Sequence, residues 1–127
     1  MFQTAIPVIQ VSGSLAATEF YCKGLGFTVL SSWRPDESKD DPRYMTLARD
    51  AARLHVHSFQ SGTAGAGAVY VFVDDVDALY AELSSSGIPV SGPPIDQTWG
   101  TREIVVRDAD RNVVTFGQRL SGGRSLP

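Results

Sequence analysis

Cysteine is nearly absent: Cys22 stands alone among 127 residues, so no internal disulfide can form. That suits a reducing compartment, and a cytoplasmic protein is expected. On a helix face a lone thiol is a small apolar group, and no base stands near it in sequence to make it a nucleophile. Long apolar runs are missing too. The longest are strand-sized, such as Ala68–Val73, well short of the roughly 18 residues that span a bilayer. The opening Met1-Phe2-Gln3-Thr4 has no basic region ahead of an apolar stretch, so no secretory leader is expected. Positive charge is in deficit, with a formal net charge of −3 and a pI near 5.2. Such a surface makes nucleic acid and anionic membranes poor partners, and it is compatible with a cationic small molecule.

The chain has the length and ordinary composition of one domain with one core, and it contains the same unit twice. Arg49-Asp50-Ala51-Ala52-Arg53 returns as Arg107-Asp108-Ala109-Asp110-Arg111, 58 residues later. An alternating apolar run lies on either side of each copy, as in a β-hairpin with Asp in the turn. The fronts match as well. Ala5–Val11 reads as a strand and Ser12-Gly13-Ser14 as a helix start, with the helix ending at Gly24-Leu25-Gly26. Val69–Val73 is the second such strand, with Asp74 or Asp75 as cap. Val76, Leu79, Tyr80 and Leu83 form a helical stripe that ends at Gly87.

These patterns predict strands over 5–11, 26–33, 43–49 and 53–59 with a helix over 14–23. In the second half they predict strands over 68–74, 88–92, 101–107 and 111–118 with a helix over 75–86. The fold class is therefore α+β: two tandem βαβββ modules forming a curved mixed sheet. Residues 1–120 are expected to make a single domain, with module one at 5–59, a glycine-rich linker at 60–67 and module two at 68–118. Residues 121–127 read as a flexible tail. A sheet covered by helices on one face leaves the other to line a concave space, where a ligand would bind.

Ala5-Ile6-Pro7-Val8-Ile9, Glu19-Phe20-Tyr21, Gly24-Leu25-Gly26-Phe27, Trp99-Gly100-Thr101-Arg102-Glu103 and Arg107-Asp108 follow one another in a familiar order. Over about residues 5–118 the chain resembles the bleomycin-resistance proteins of the glyoxalase/dioxygenase, or vicinal-oxygen-chelate, superfamily. The resemblance implies a homodimer, sometimes with exchange of the N-terminal strand. It also implies that Trp99 stacks on a planar heteroaromatic ligand, and it places Tyr44 where those proteins use an aromatic. The charged loop Arg34–Pro42 is longer than its counterpart in them. The superfamily's enzymes hold a divalent metal at four inward positions, which fall here on Ile6, His57, Ala68 and Thr115. One imidazole, one hydroxyl and two aliphatics do not make a metal site. No metal or other cofactor is therefore expected, and binding rather than catalysis follows.

Alternation names the lining once His57 is taken as inward. His55 and His57 then face the cup while Leu54 and Val56 pack. Tyr70 and Phe72 face in, and Tyr44 and Glu103 are treated as repeat-equivalent inward positions. Trp33, at a strand end, is a third aromatic wall. The candidate ligand-binding set is thus Trp99, Tyr44, His57, His55, Glu103, Trp33, Phe72 and Tyr70. The ligand is expected to be a planar antibiotic or metabolite, cationic or neutral, and no residue is assigned a catalytic role. The alternative is a metal-dependent lyase, thiol transferase or dioxygenase with an atypical site around His55, His57 and Glu103.

Overall fold

The computed structural model describes residues 1–60 and 62–121. Ser61 of the expected linker and residues 122–127 of the expected tail lie outside them. The chain divides into two compact units, residues 1–67 with 108–112 and residues 68–107 with those from 113 onward. Each unit carries one four-stranded mixed sheet, so hydrogen bonding divides the expected sheet in two.

In the first unit the strands are β1 (Val8–Gln10), β2 (Thr28–Trp33), β3 (Tyr44–Arg49) and β4 (Ala52–His57), ordered β1-β4-β3-β2. β1 runs parallel to β4, and the other two pairings are antiparallel. β1 is shorter than the 5–11 pattern suggests because Pro7 has no N–H to give the ladder, although its carbonyl still accepts from His55 N at 3.0 Å. Ile6 thus lies outside the strand. Helix α1 (Ser14–Thr18) continues as a π-helical turn, Glu19–Gly24, closed by Leu25 N donating to Phe20 O five residues back. Its inward stripe is Ser14, Ala17, Tyr21 and Leu25, all buried. Ile9, Met45, Leu47, Leu54 and Val56 supply the core side of the sheet. β2 is an edge strand, exposed along its whole length and bulged at Leu30.

The second unit holds β5 (Ala68–Phe72), β6 (Ile95–Asp96), β7 (Thr101–Arg107) and β8 (Val113–Arg119), ordered β5-β8-β7-β6. Helix α2 (Val76–Ser85) is capped by Asp75, whose side chain accepts from Ala78 N at 3.0 Å. Val76 and Leu83 of α2 are buried, as are Ile104, Val106, Val114 and Phe116 of the sheet. The strand expected over 88–92 does not form. Val90 makes only an isolated bridge to Val106, and β6 starts at Ile95. Pro89, Pro93 and Pro94 remove three donors there, and Gly92 turns the chain at φ 124.

The repeated Arg-Asp motif conceals two different turns. β3 and β4 are joined by Asp50 and Ala51 alone, with Asp50 at φ 50. β7 and β8 are joined by the five residues 108–112. His57 and Thr115 correspond under the 58-residue offset, yet Tyr44 opposes His57 while Val105 opposes Thr115. Tyr44 and Glu103 are therefore not repeat-equivalent. The added turn residues move β7 along its partner, although Glu103 stays on the predicted face two positions from Val105. Asp50 is almost fully exposed, whereas Asp108 is buried and accepts from Tyr21 Oη, Asn112 Nδ2, Asp110 N and Asn112 N at 2.8–2.9 Å. Asn112, wholly buried, donates to Gln10 O and accepts from Gly67 N at 2.8 Å. The glycine-rich stretch is thus held to the first unit at Gly67. A Cβ on Gly65 would come within 2.1 Å of Asp110 O.

Candidate ligand-binding site

In the first unit, register places Gln10, His57, Tyr44 and Trp33 in one row across all four strands. Their neighbours in sequence, Val56 and Met45, go to the core, so alternation sends the row to the opposite, half-open face. The Tyr44 and His57 rings lie parallel within 6° at 5.6 Å. Trp33 and Phe59 form a second parallel pair at 5.8 Å, also within 6°. Trp33, Tyr44, His57 and Phe59 line an open, apolar cavity of about 330 Å³.

Hydrogen bonds fix the orientation of the Tyr44 and His57 rings. Tyr44 Oη and His55 Nδ1 are 2.9 Å apart, with the rings edge to face. Phe59 N donates to His57 Nδ1 at 3.2 Å. A backbone N–H is always a donor, so Nδ1 must be the acceptor and neutral His57 carries its proton on Nε2. Phe59 is a cavity wall that the sequence reading missed. The signal was present, since the alternation His55, His57 extends by one more step of two to Phe59.

The second unit gathers the other expected residues. Phe72, Gly117, Glu103 and Ile95 form a row across its sheet. Gly117 is the bare point in it: a Cβ there would lie 1.9 Å from Tyr70 Oη, so the phenol crosses the strand where only glycine leaves room. That crossing brings Tyr70 Oη to Glu103 Oε2 at 2.7 Å. Thr101 Oγ1 and Trp99 Nε1 donate to the same oxygen at 2.8 and 3.1 Å. Burial alone would raise the Glu103 carboxyl, but the bonds from Tyr70, Thr101 and Trp99 outweigh it and hold the group below the usual glutamate range. Burial, with the Glu103 carboxylate beside it, pushes the Tyr70 phenol up. Phe72 packs on Tyr70 at 4.9 Å and carries the Arg119 guanidinium over its ring at 3.7 Å.

Trp99 is held at its edge with 44% of its surface exposed. The N–H bond lies in the ring plane, so it leaves the indole faces unspent. Gly100 follows at φ 91, in the left-handed region that disfavours other residues. Gln97 N closes the loop on Thr101 O at 2.7 Å. The Trp-Gly pair is thus a turn that presents a fixed indole. The eight predicted side chains form two clusters: Trp33, Tyr44, His55 and His57 in the first unit, Tyr70, Phe72, Trp99 and Glu103 in the second.

The family model for the glyoxalase/bleomycin resistance protein/dioxygenase superfamily matches residues 4–116. The chain belongs to this superfamily. A bleomycin resistance protein of Geobacillus stearothermophilus is 24% identical over 135 aligned positions, covering 91% of this chain and 96% of the relative. The crystal structure of TnmS3, an antibiotic binding protein from Streptomyces sp. CB03234, superposes with a TM-score of 0.72 at 27% identity, covering 94% of this chain and 98% of that one. A bleomycin-binding protein complexed with bleomycin has the same fold, with a TM-score of 0.73 at 20% identity over 93% of this chain and 99% of that one.

Some members of this superfamily are metalloenzymes, and the residues here do not fit a divalent ion. Val8 pairs with His55 as Ala68 pairs with Val113, so the equivalent of Ala68 on β1 is Val8 rather than Ile6. The correction exchanges one aliphatic side chain for another. Of the four positions only His57 and Thr115 carry a donor atom in the side chain, too few for a divalent ion.

Proposed function

We propose that this protein is a non-catalytic binder of a planar small molecule, an antibiotic or metabolite, of the bleomycin-resistance kind. One observation carries the reading: two parallel ring pairs, Tyr44 with His57 and Trp33 with Phe59, border an open apolar cavity of about 330 Å³. That volume is at the lower end for small-molecule sites. The Tyr44 and His57 rings, already oriented by hydrogen bonds, lose little freedom when a flat molecule stacks on them. The pinned indole of Trp99 offers a second such surface. The similarity to TnmS3, an antibiotic binding protein, and to the bleomycin resistance relatives supports the same class of ligand.

The test is titration with bleomycin, acridine and an anthraquinone, following fluorescence of the single-tryptophan variants Trp33→Phe and Trp99→Phe. Saturable quenching of the remaining tryptophan is expected. Tyr44→Ala should raise Kd about three- to tenfold, corresponding to the loss of ~0.5–1.5 kcal/mol of stacking. No quenching by any of the three would remove the reading.

We further propose a homodimer with exchange of the N-terminal strand. Supporting it, Phe2 is fully exposed and Val8 on the three-residue β1 is half exposed. Light scattering during gel filtration should give twice the monomer mass, and removal of residues 1–6 should abolish it.

A further inference from the structure

We propose that Glu103 is the recognition point for a cationic group on the ligand, so that the preferred ligand is a flat aromatic cation. This rests on the reading above of the Trp99 indole as a surface for a planar ligand and adds the charge. Tyr70 Oη, Thr101 Oγ1 and Trp99 Nε1 all donate to Oε2. Among the described residues no donor reaches Oε1. A carboxylate has about four acceptor sites, and here three donors crowd one oxygen while the other stays open. The donors are all neutral, so they fix the group without cancelling its charge.

Tyr70 and Trp99 bond it through their ring edges and are 38% and 44% exposed, so the carboxylate stands at a partly open surface beside an indole whose faces that bond leaves unspent. The carboxyl is held below its usual range and is ionised at neutral pH. Three bonds hold it in place, so a ligand need not order it. An anionic ligand would meet a like charge, and a neutral one would forgo the charge-assisted bond.

The experiment uses one ring system in two charge states. Acridine is neutral at pH 7.5, and 9-aminoacridine is a cation of the same shape. Affinities for both are measured by quenching of the wild type and of Glu103→Gln, whose amide oxygen can still accept from Tyr70, Thr101 and Trp99. The wild type is expected to prefer the cation roughly tenfold at low salt, and the variant to bind the two dyes with affinities that no longer differ. A preference of the same size in both proteins overturns the inference, as does equal binding of the two dyes by the wild type. Either result leaves planar-ligand binding standing. Binding of neither dye removes both readings together. A measurement needing no variant accompanies it: with the four glutamates labelled with carbon-13 at the carboxyl, 9-aminoacridine should shift the Glu103 resonance and acridine should not. An unmoved Glu103 signal at saturation with the cation also overturns the inference.

Discussion

Replacing Tyr21 by Phe removes one oxygen from the most buried aromatic side chain of the first unit and leaves the ring in place. Tyr21 has no exposed surface, and its hydroxyl donates to the buried Asp108 carboxylate at 2.8 Å. A hydrogen bond to a charged group contributes ~1.5–3 kcal/mol. Asp108 would retain Asn112 Nδ2 on the same oxygen and the Asp110 and Asn112 amides on the other. The carboxylate is not orphaned, and the loss should fall in the lower part of that range, about 1.5–2 kcal/mol. Urea unfolding reads it as a midpoint lower by about 1 M at an unchanged slope near 1.5–2 kcal/mol/M. The pH dependence supplies a second signature. Burial, reinforced by Asp108, pushes the Tyr21 phenol far above its ordinary value of 10.0. A group whose folded value is raised contributes stability that is complete below the unfolded value and lost as pH rises beyond it. The wild type should therefore lose stability above about pH 10 more steeply than Tyr21→Phe. Equal urea midpoints together with identical alkaline slopes would refute this account of the Tyr21–Asp108 bond.

Two further outcomes follow from the geometry. Gly117→Ala should expel the Tyr70 phenol, because the new Cβ would come within 1.9 Å of its oxygen. With the Tyr70 bond gone the Glu103 carboxyl should titrate closer to its ordinary 4.5, visible in a carbon-13 NMR titration, and an unmoved titration would show that Tyr70 had not been displaced. Hydrogen bonds from Ser58 and Ser14 outweigh burial and lower the Asp41 carboxyl, and Glu103 is lowered as well. Depressed carboxyls contribute stability present above their unfolded values, 3.8 and 4.5, and lost as pH falls through the folded ones. The Tm should hold from pH 7 to about 5 and fall below that, with a shallower fall in Asp41→Asn. Parallel profiles for the two proteins would count against the assignment.

The fold was legible because its main signals are periodic. Leu54 and Val56 against His55 and His57, or Ile104 and Val106 against Glu103 and Val105, divide the faces of a strand by identity alone. Helix α2 was legible for the same reason, from Val76 and Leu83 to its cap at Asp75. What stayed hidden depends on backbone that periodicity does not encode. Strand β6 was misplaced because Ile88 and Val90 look like strand residues while the neighbouring prolines withhold the donors a ladder needs. The inserted residue Leu30 gives no signal, being apolar on an edge strand that is exposed throughout.

The site shows the same division at a finer grain. Aromatic and polar residues on one face were enough to nominate all eight side chains, but not to say which touch. Matching Arg49-Asp50 to Arg107-Asp108 assumes that a repeated dipeptide means a repeated turn. A two-residue turn and a five-residue loop put the partner strands out of step, so Tyr44 meets an imidazole while Glu103 meets Gly117. The two copies therefore carry two different surfaces. In the first unit the opposed rings leave an apolar cavity. In the second the bare Gly117 lets a tyrosine cross to a carboxylate and leaves one of its oxygens open. A duplicated unit that had kept its register would have repeated one surface twice. With β7 shifted, one unit carries paired rings and the other a fixed carboxylate.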